Sequence, residues 1–177
     1  MPDFPGRLAA RTGADPHAAR RLLTDDAFRR AYWGGHLPEE AFWMALDLDA
    51  PDDSRRVGIL DLRARVDPAR VAGWAGVADV WIISNHRHEW LLPALAAHGL
   101  DDVVDRIEVS SLTGRVKPDP GAWEVLLEAG TPASRVAVVD DQQANLDAAA
   151  ALGLTAIHAA GDGAWADALD AWLASRA

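Results

Sequence analysis

The sequence predicts an α/β protein: a doubly wound parallel sheet with a small helical region ahead of it. Three observations lead there. Short strand-like segments at residues 80–83, 105–110, 136–139 and 155–158, the first and third of them apolar runs, alternate with helical segments, which is the rhythm of strand–helix repeats. The run at 136–139 stops at adjacent carboxylates, Asp140 and Asp141, and a helix follows at once, the layout of an α/β ligand site. Before Asp79 the apolar spacing is helical throughout. The chain therefore divides into a helical region, residues 1–78, and an α/β core, residues 79–177.

Composition sets the outer limits. A length of 177 residues with half of them apolar and a quarter charged suits one globular domain with a small appended unit. A net charge of −10 argues against nucleic acid or an anionic membrane as partner. There is no cysteine, which removes disulfides, thiolate nucleophiles and Cys-zinc sites. No apolar run reaches membrane-spanning length and the first residues lack a signal-peptide core, so the expectation is a soluble cytoplasmic protein. The chain has sixteen arginines and one lysine, Lys117. A single Lys among so many Arg marks a position where a compact ammonium does what a planar guanidinium cannot.

The elements follow in order. Residues 1–5 read as loose and 6–28 as helical, with a restart at Asp15-Pro16, an N-cap followed by Pro at the first helical position. Tyr32-Trp33-Gly34-Gly35 breaks that pattern. Pro38-Glu39-Glu40 opens the next helix, its acids well placed for the dipole. Residues 49–53 read as a loop and 54–65 as a helix, and Asp67-Pro68 restarts one. The strand at 80–83 ends at Ser84-Asn85. A helix over 86–98 follows, with Leu91, Leu92 and Leu95 on one face and Gly99 as its stop. After the strand at 105–110, Pro118 and Pro120 stiffen the loop that carries Lys117. Residues 123–129 read as a helix ended by Gly130. The central strand, a helix closed by Gly153, the strand at 155–158 and a helix over 164–175 complete the chain.

Three polar clusters fall where a doubly wound sheet places its ligand. Ser84-Asn85, at a helix start, suits a phosphate oxygen or serves as a plain N-cap. Lys117 reaches an anion. Asp140 and Asp141 hold a divalent cation, or one caps the helix and the other is solvated. His86 and His88 either line the site as acid or base or are first-turn surface residues. In that order, a hydrogen-bonding pair, a cation and two acids suit phosphoryl or similar group transfer. The paired arginines at 20–21, 29–30 and 55–56 read as solvated helix faces, and most of the eight tryptophans as packing, with Trp33 and Trp43 as candidates to face an apolar substrate or partner.

Ile82-Ile83-Ser84-Asn85, then 114–120 as Gly-Arg-Val-Lys-Pro-Asp-Pro, then Val138-Val139-Asp140-Asp141 with the Ala-rich helix and Leu152-Gly153-Leu154 resemble the second to fourth motifs of the haloacid dehalogenase (HAD) superfamily. The resemblance covers residues 79 to about 160, and the helical region is similar to that family's four-helix cap. It implies a HAD-like Rossmannoid fold in which Ser84, with Asn85 and His86, binds the phosphate or leaving group. Lys117 would hold the substrate and nucleophile charge, and Asp140 and Asp141 would bind Mg²⁺.

The family's first motif, an apolar strand ending in Asp-x-Asp whose first Asp is the nucleophile, has no clear counterpart. Asp47-Leu48-Asp49 imitates it after six apolar residues. Yet Pro38-Glu39-Glu40 opens a helix there, Phe42, Trp43 and Leu46 fit one helical face, and Pro51 stands where the motif wants Thr or Val. The expectation is a sheet lacking its usual first strand, its gap closed by direct pairing or by a strand from another chain, so a homodimer or partner protein enters the reading. The functional expectation is a non-canonical or inactive phosphatase or dehalogenase homologue with a pocket for a small anionic or phosphorylated ligand. The alternatives are an active Mg²⁺-dependent enzyme using Asp47 or an upstream start, and a structural subunit completed by a partner strand.

Overall fold

The structure, a computed structural model, describes residues 4–60, 67–128, 130–161 and 163–176. It holds eleven α-helices and four strands among those residues and falls into two compact units, 1–114 and 115–177. The packing thus divides at a different place from the change in sequence pattern at residue 79, and the reason lies in one helix.

The first unit opens with α1 (Phe4–Thr12), α2 (Pro16–Thr24) and α3 (Asp26–Trp33). Asp15 caps α2, its carboxylate accepting from the His17 N–H, with Pro16 in the first turn, as the sequence predicts. Helix α3 runs through Tyr32 and Trp33 before Gly34 stops it, so the break comes two residues later than expected. Gly35 holds φ +77, and a Cβ there would collide with the Ser111 carbonyl oxygen; only glycine fits. Helices α4 (Glu39–Met44), α5 (Asp53–Leu60) and α6 (Pro68–Ala75) follow. Asp67 caps α6 through the Ala69 N–H. The expected helix over 54–65 is seen to Leu60, and the rest of it lies outside the described residues.

Strand β1 (Trp81–Ser84) pairs in parallel with β2 (Arg106–Val109), Ser84 opposite Val109. Between them α7 (His88–Ala96) is apolar on two faces. Trp90 and Ala94, one turn apart, enter a core with Leu8, Tyr32, Phe42, Trp43, Ile59 and Leu60 from the helices. Leu91 and Leu95, on the neighbouring stripe, enter a second core with Val71, Leu100 and Val109, flanked by Ile82 and Ile107. A helix that is hydrophobic on both sides must be covered on both. That binds β1 and β2 to the helices and carries the first unit past residue 79. A single turn of helix, α8 (Ser110–Thr113), closes this unit.

The second unit consists of α9 (Gly121–Glu124), β3 (Ala137–Asp140), α10 (Gln143–Ala151), β4 (Thr155–His158) and α11 (Ala164–Ala174). Strands β3 and β4 are parallel, with Asp140 opposite His158. Gly153, at φ +81, ends α10 in the left-handed conformation. The expected helix over 123–129 is shorter and earlier: α9 gives way after Glu124 to turns, marked by the i→i−3 bonds of Leu126 and Leu127, and Ala129 lies outside the described residues. The α/β class with parallel strands is as predicted; among the described residues the paired strands are β1 with β2 in the first unit and β3 with β4 in the second.

Candidate functional site

The second unit brings two of the predicted residues into contact. Apolar β-branched residues build β3, which delivers Asp140 to its carboxyl end at 7% exposure. Asp140 Oδ1 accepts from the Gln142 N–H and from Asn145 Nδ2, both at 2.9 Å, so the carboxylate starts α10 and is fixed by its first turn. Lys117 Nζ donates to Asp140 Oδ2 at 2.7 Å, with both side chains largely out of water. The ammonium also lies 5.3 Å from the centroid of the Trp123 ring, within cation–π range. Asp141 is exposed, and its carbonyl lies 3.4 Å from His158 Nε2.

In the first unit, Ser84 ends β1, half-buried, and Asn85 follows it. The loop beyond them is sewn to the end of β2. The His86 N–H donates to Ser110 Oγ at 3.1 Å, the His88 N–H to Ser111 Oγ at 2.9 Å, and Ser110 Oγ donates to the Trp33 carbonyl at 2.6 Å. His86 is buried beside Trp33, its ring centroid 4.7 Å away. Burial pushes its pKa down to about 4, so the imidazole is neutral at neutral pH. Its Nδ1 accepts from the Arg87 N–H at 2.9 Å, which assigns the ring proton to Nε2. Arg87, also buried, forks onto Glu89 at 3.0 and 2.6 Å and donates to the Leu37 carbonyl at 2.7 Å. Burial opposes the Arg87 charge, but the Glu89 carboxylate outweighs it and raises the pKa. Ser84, Asn85 and His86 thus lie in one unit, and Lys117, Asp140 and Asp141 in the other.

Asp47 does not stand at the end of a strand. It follows α4 in a turn, exposed, at φ +56, with its N–H donating to the Met44 carbonyl at 3.1 Å. Among the four described strands, β3 alone ends in a carboxylate.

The donor set for Mg²⁺ is thin. Both Asp140 oxygens are engaged, one of them by an ammonium that repels a second cation. No group of three or more His, Asp or Glu converges among the described residues. That leaves Asp141, and a single carboxylate without a further donor falls short of a magnesium site.

Three residues escape a reading of the sequence. Glu39, read as a dipole acid, is buried and accepts from Trp43 Nε1 (3.0 Å), Trp90 Nε1 (2.6 Å) and Arg56 (3.0 and 2.7 Å). Arg56 is accordingly no solvated face residue. Trp123, read as packing, is the aromatic wall beside Lys117. The hint at Glu39 is only that Trp43 lies one helical turn on; Arg56 and Trp90 are long-range partners that no local pattern announces.

Comparison with known proteins agrees with this architecture. The family described as haloacid dehalogenase-like hydrolase matches residues 28–153, 126 of the 177 in the chain. A structure described as a predicted HAD-like family hydrolase from Porphyromonas gingivalis is similar with a TM-score of 0.73 at 18% identity, over 97% of this chain and 89% of that one. A HAD family enzyme from Bacteroides thetaiotaomicron is similar with a TM-score of 0.65 at 13% identity, over 92% and 89%. An aspartate-to-alanine variant of that enzyme, in complex with magnesium and inorganic phosphate, gives 0.60 at 14% identity, over 84% and 88%. None of the curated proteins matches the chain. With most of its length matched by the family and its fold shared with those structures, the chain belongs to the haloacid dehalogenase-like hydrolases.

Proposed function

We propose that this chain is a HAD-like protein whose oxyanion site outlasts its hydrolytic chemistry. It binds a small anionic or phosphorylated ligand through Lys117, and turns over phosphate esters or haloacids weakly or not at all. The observation that carries this reading is the position of Asp47: a carboxylate on an exposed turn after a helix cannot be aimed like a nucleophile at a strand end. Asp140 is no substitute, because Lys117 and the start of α10 already engage it.

The chain's own residues supply binding and orientation. Asp140 holds the Lys117 ammonium at a fixed point, and the ammonium attracts the anion. In the first unit the family pattern makes Ser84 and Asn85 donors to a phosphate oxygen, and the serines at the end of β2 support the loop beyond them. The same pattern implies Mg²⁺ at Asp140 and Asp141; with so few free donors there, no step of this reading runs through the metal.

Turnover of an aryl phosphate with and without Mg²⁺, in wild type, Asp47→Asn and Asp140→Asn, tests the reading. The expected result is no turnover above the uncatalysed rate while inorganic phosphate still binds. Turnover in the wild type would overturn it, and loss of that turnover in both variants would place the nucleophile at Asp47.

A further inference from the structure

We propose that the Trp123 indole N–H is a second donor to the oxyanion held by Lys117, which makes Trp123 a binding residue. The inference rests on the Lys117 anion site and deepens it.

Trp123 is 2% exposed, and its Nε1 has no hydrogen-bond partner among the described residues. Buried donors are almost always paired, and one left unpaired keeps the full cost of its lost hydration. An acceptor beyond the described residues is therefore called for, and the surroundings select its chemistry. The Lys117 ammonium lies 5.3 Å from the centre of the same ring and is itself nearly buried. An oxyanion beside the Lys117–Asp140 pair would meet the ammonium through one oxygen and the neutral N–H through another; charge assistance strengthens both bonds. A tetrahedral phosphate offers oxygens in several directions. The ring itself then has two tasks, since its face steadies the ammonium while its edge binds the ligand.

The chain's composition makes the test direct. Lys117 is the sole lysine, so ¹³Cε-lysine labelling gives one side-chain reporter, and ¹⁵N labelling gives eight indole signals. The signal missing in Trp123→Phe is that of Trp123. Titration with inorganic phosphate in Mg²⁺-free buffer is expected to move the Lys117 Cε and Trp123 indole signals along one saturation curve, the indole proton downfield. Trp123→Phe keeps an aromatic face over the ammonium and is expected to weaken phosphate about tenfold, the loss of one hydrogen bond to a charged group. If Lys117 responds and the indole does not, the N–H faces a trapped water; the inference falls and the Lys117 site stands. If neither responds, both fall. Should Trp123→Phe fail to fold, cross-relaxation to the labelled Lys117 methylene assigns the indole, and the wild-type titration decides.

Discussion

Among the described residues each unit buries one carboxylate and pairs it with a cation, and the two pairs are built differently. In the first unit Glu39 sits in an aromatic core, where Trp43 and Trp90 stack at 5.2 Å and both point an indole N–H at the same carboxylate oxygen. Arg56 closes the remainder with two further bonds. A planar guanidinium and two fixed indoles suit a permanent knot between helices α4, α5 and α7. In the second unit Asp140 terminates a strand, and its cation is a lysine on a loop. Two of its three bonds come from neutral amides at the start of the next helix. Burial alone does not distinguish the two acids; their partners do.

That comparison can be broken by mutation. Glu39→Ala would remove the buried carboxylate on which Arg56 and two indole N–H groups converge, and we expect a loss of about 3–5 kcal/mol in urea unfolding. A loss under about 1 kcal/mol would mean the knot is dispensable.

Acid should act on the first unit next. The folded-state pKa of His86 is lowered to about 4 from 6.5, so the unfolded chain binds more protons between those values. Its contribution is fully present above about pH 6.5, declines as pH falls towards 4, and is spent below that. The two values correspond to about 3 kcal/mol. Arg87 and Glu89 face the ring, and the Glu89 pKa, lowered by the Arg87 hydrogen bonds in spite of burial, adds loss in the same direction. Thermal unfolding from pH 7 to 4 checks this, with His86→Gln flattening the slope.

Asp140→Asn should cost less, about 2 kcal/mol. The new amide oxygen still accepts from Gln142 and Asn145, but the amide nitrogen replaces the oxygen that accepts from Lys117, so that hydrogen bond is lost together with the charge. A cost equal to that of Glu39→Ala would erase the distinction between the acids. The smallest effect concerns metal: on the proposed reading, in which the Lys117 ammonium anchors the anion, phosphate affinity followed through the Lys117 signal should be unchanged by chelators. A strong dependence on Mg²⁺ would show that Asp141 finds donors beyond those described.

Local chemistry is legible in the sequence, and distance is not. Asp15-Pro16 and Asp67-Pro68 place their caps within two residues, so the string alone locates those helix starts. The strand ending at Asp140 and the lone Lys117 are equally visible, because apolar runs and rare residues need no partner to be noticed. Their 2.7 Å contact is a matter of tertiary packing. Glu39 misleads because helix-start acids are usually wet, and only Arg56 and Trp90, 17 and 51 residues away, draw it inside. The pairing of the described strands is hidden for the same reason: alternation tells which segments are strands, and edges choose their own neighbours.

Helix α7 carries a consequence for how this protein can be taken apart. Its Trp90 and Ala94 belong to the helical core and its Leu91 and Leu95 to the core behind β1 and β2. The helical region is consequently not a detachable lid that could be shuffled onto another scaffold at residue 79. A graft made there would carry away half of each hydrophobic seam and leave bare tryptophan and leucine on both pieces, inviting aggregation. The seam that recombination or domain grafting could respect lies after Gly114 instead, where the chain passes from one compact unit to the next.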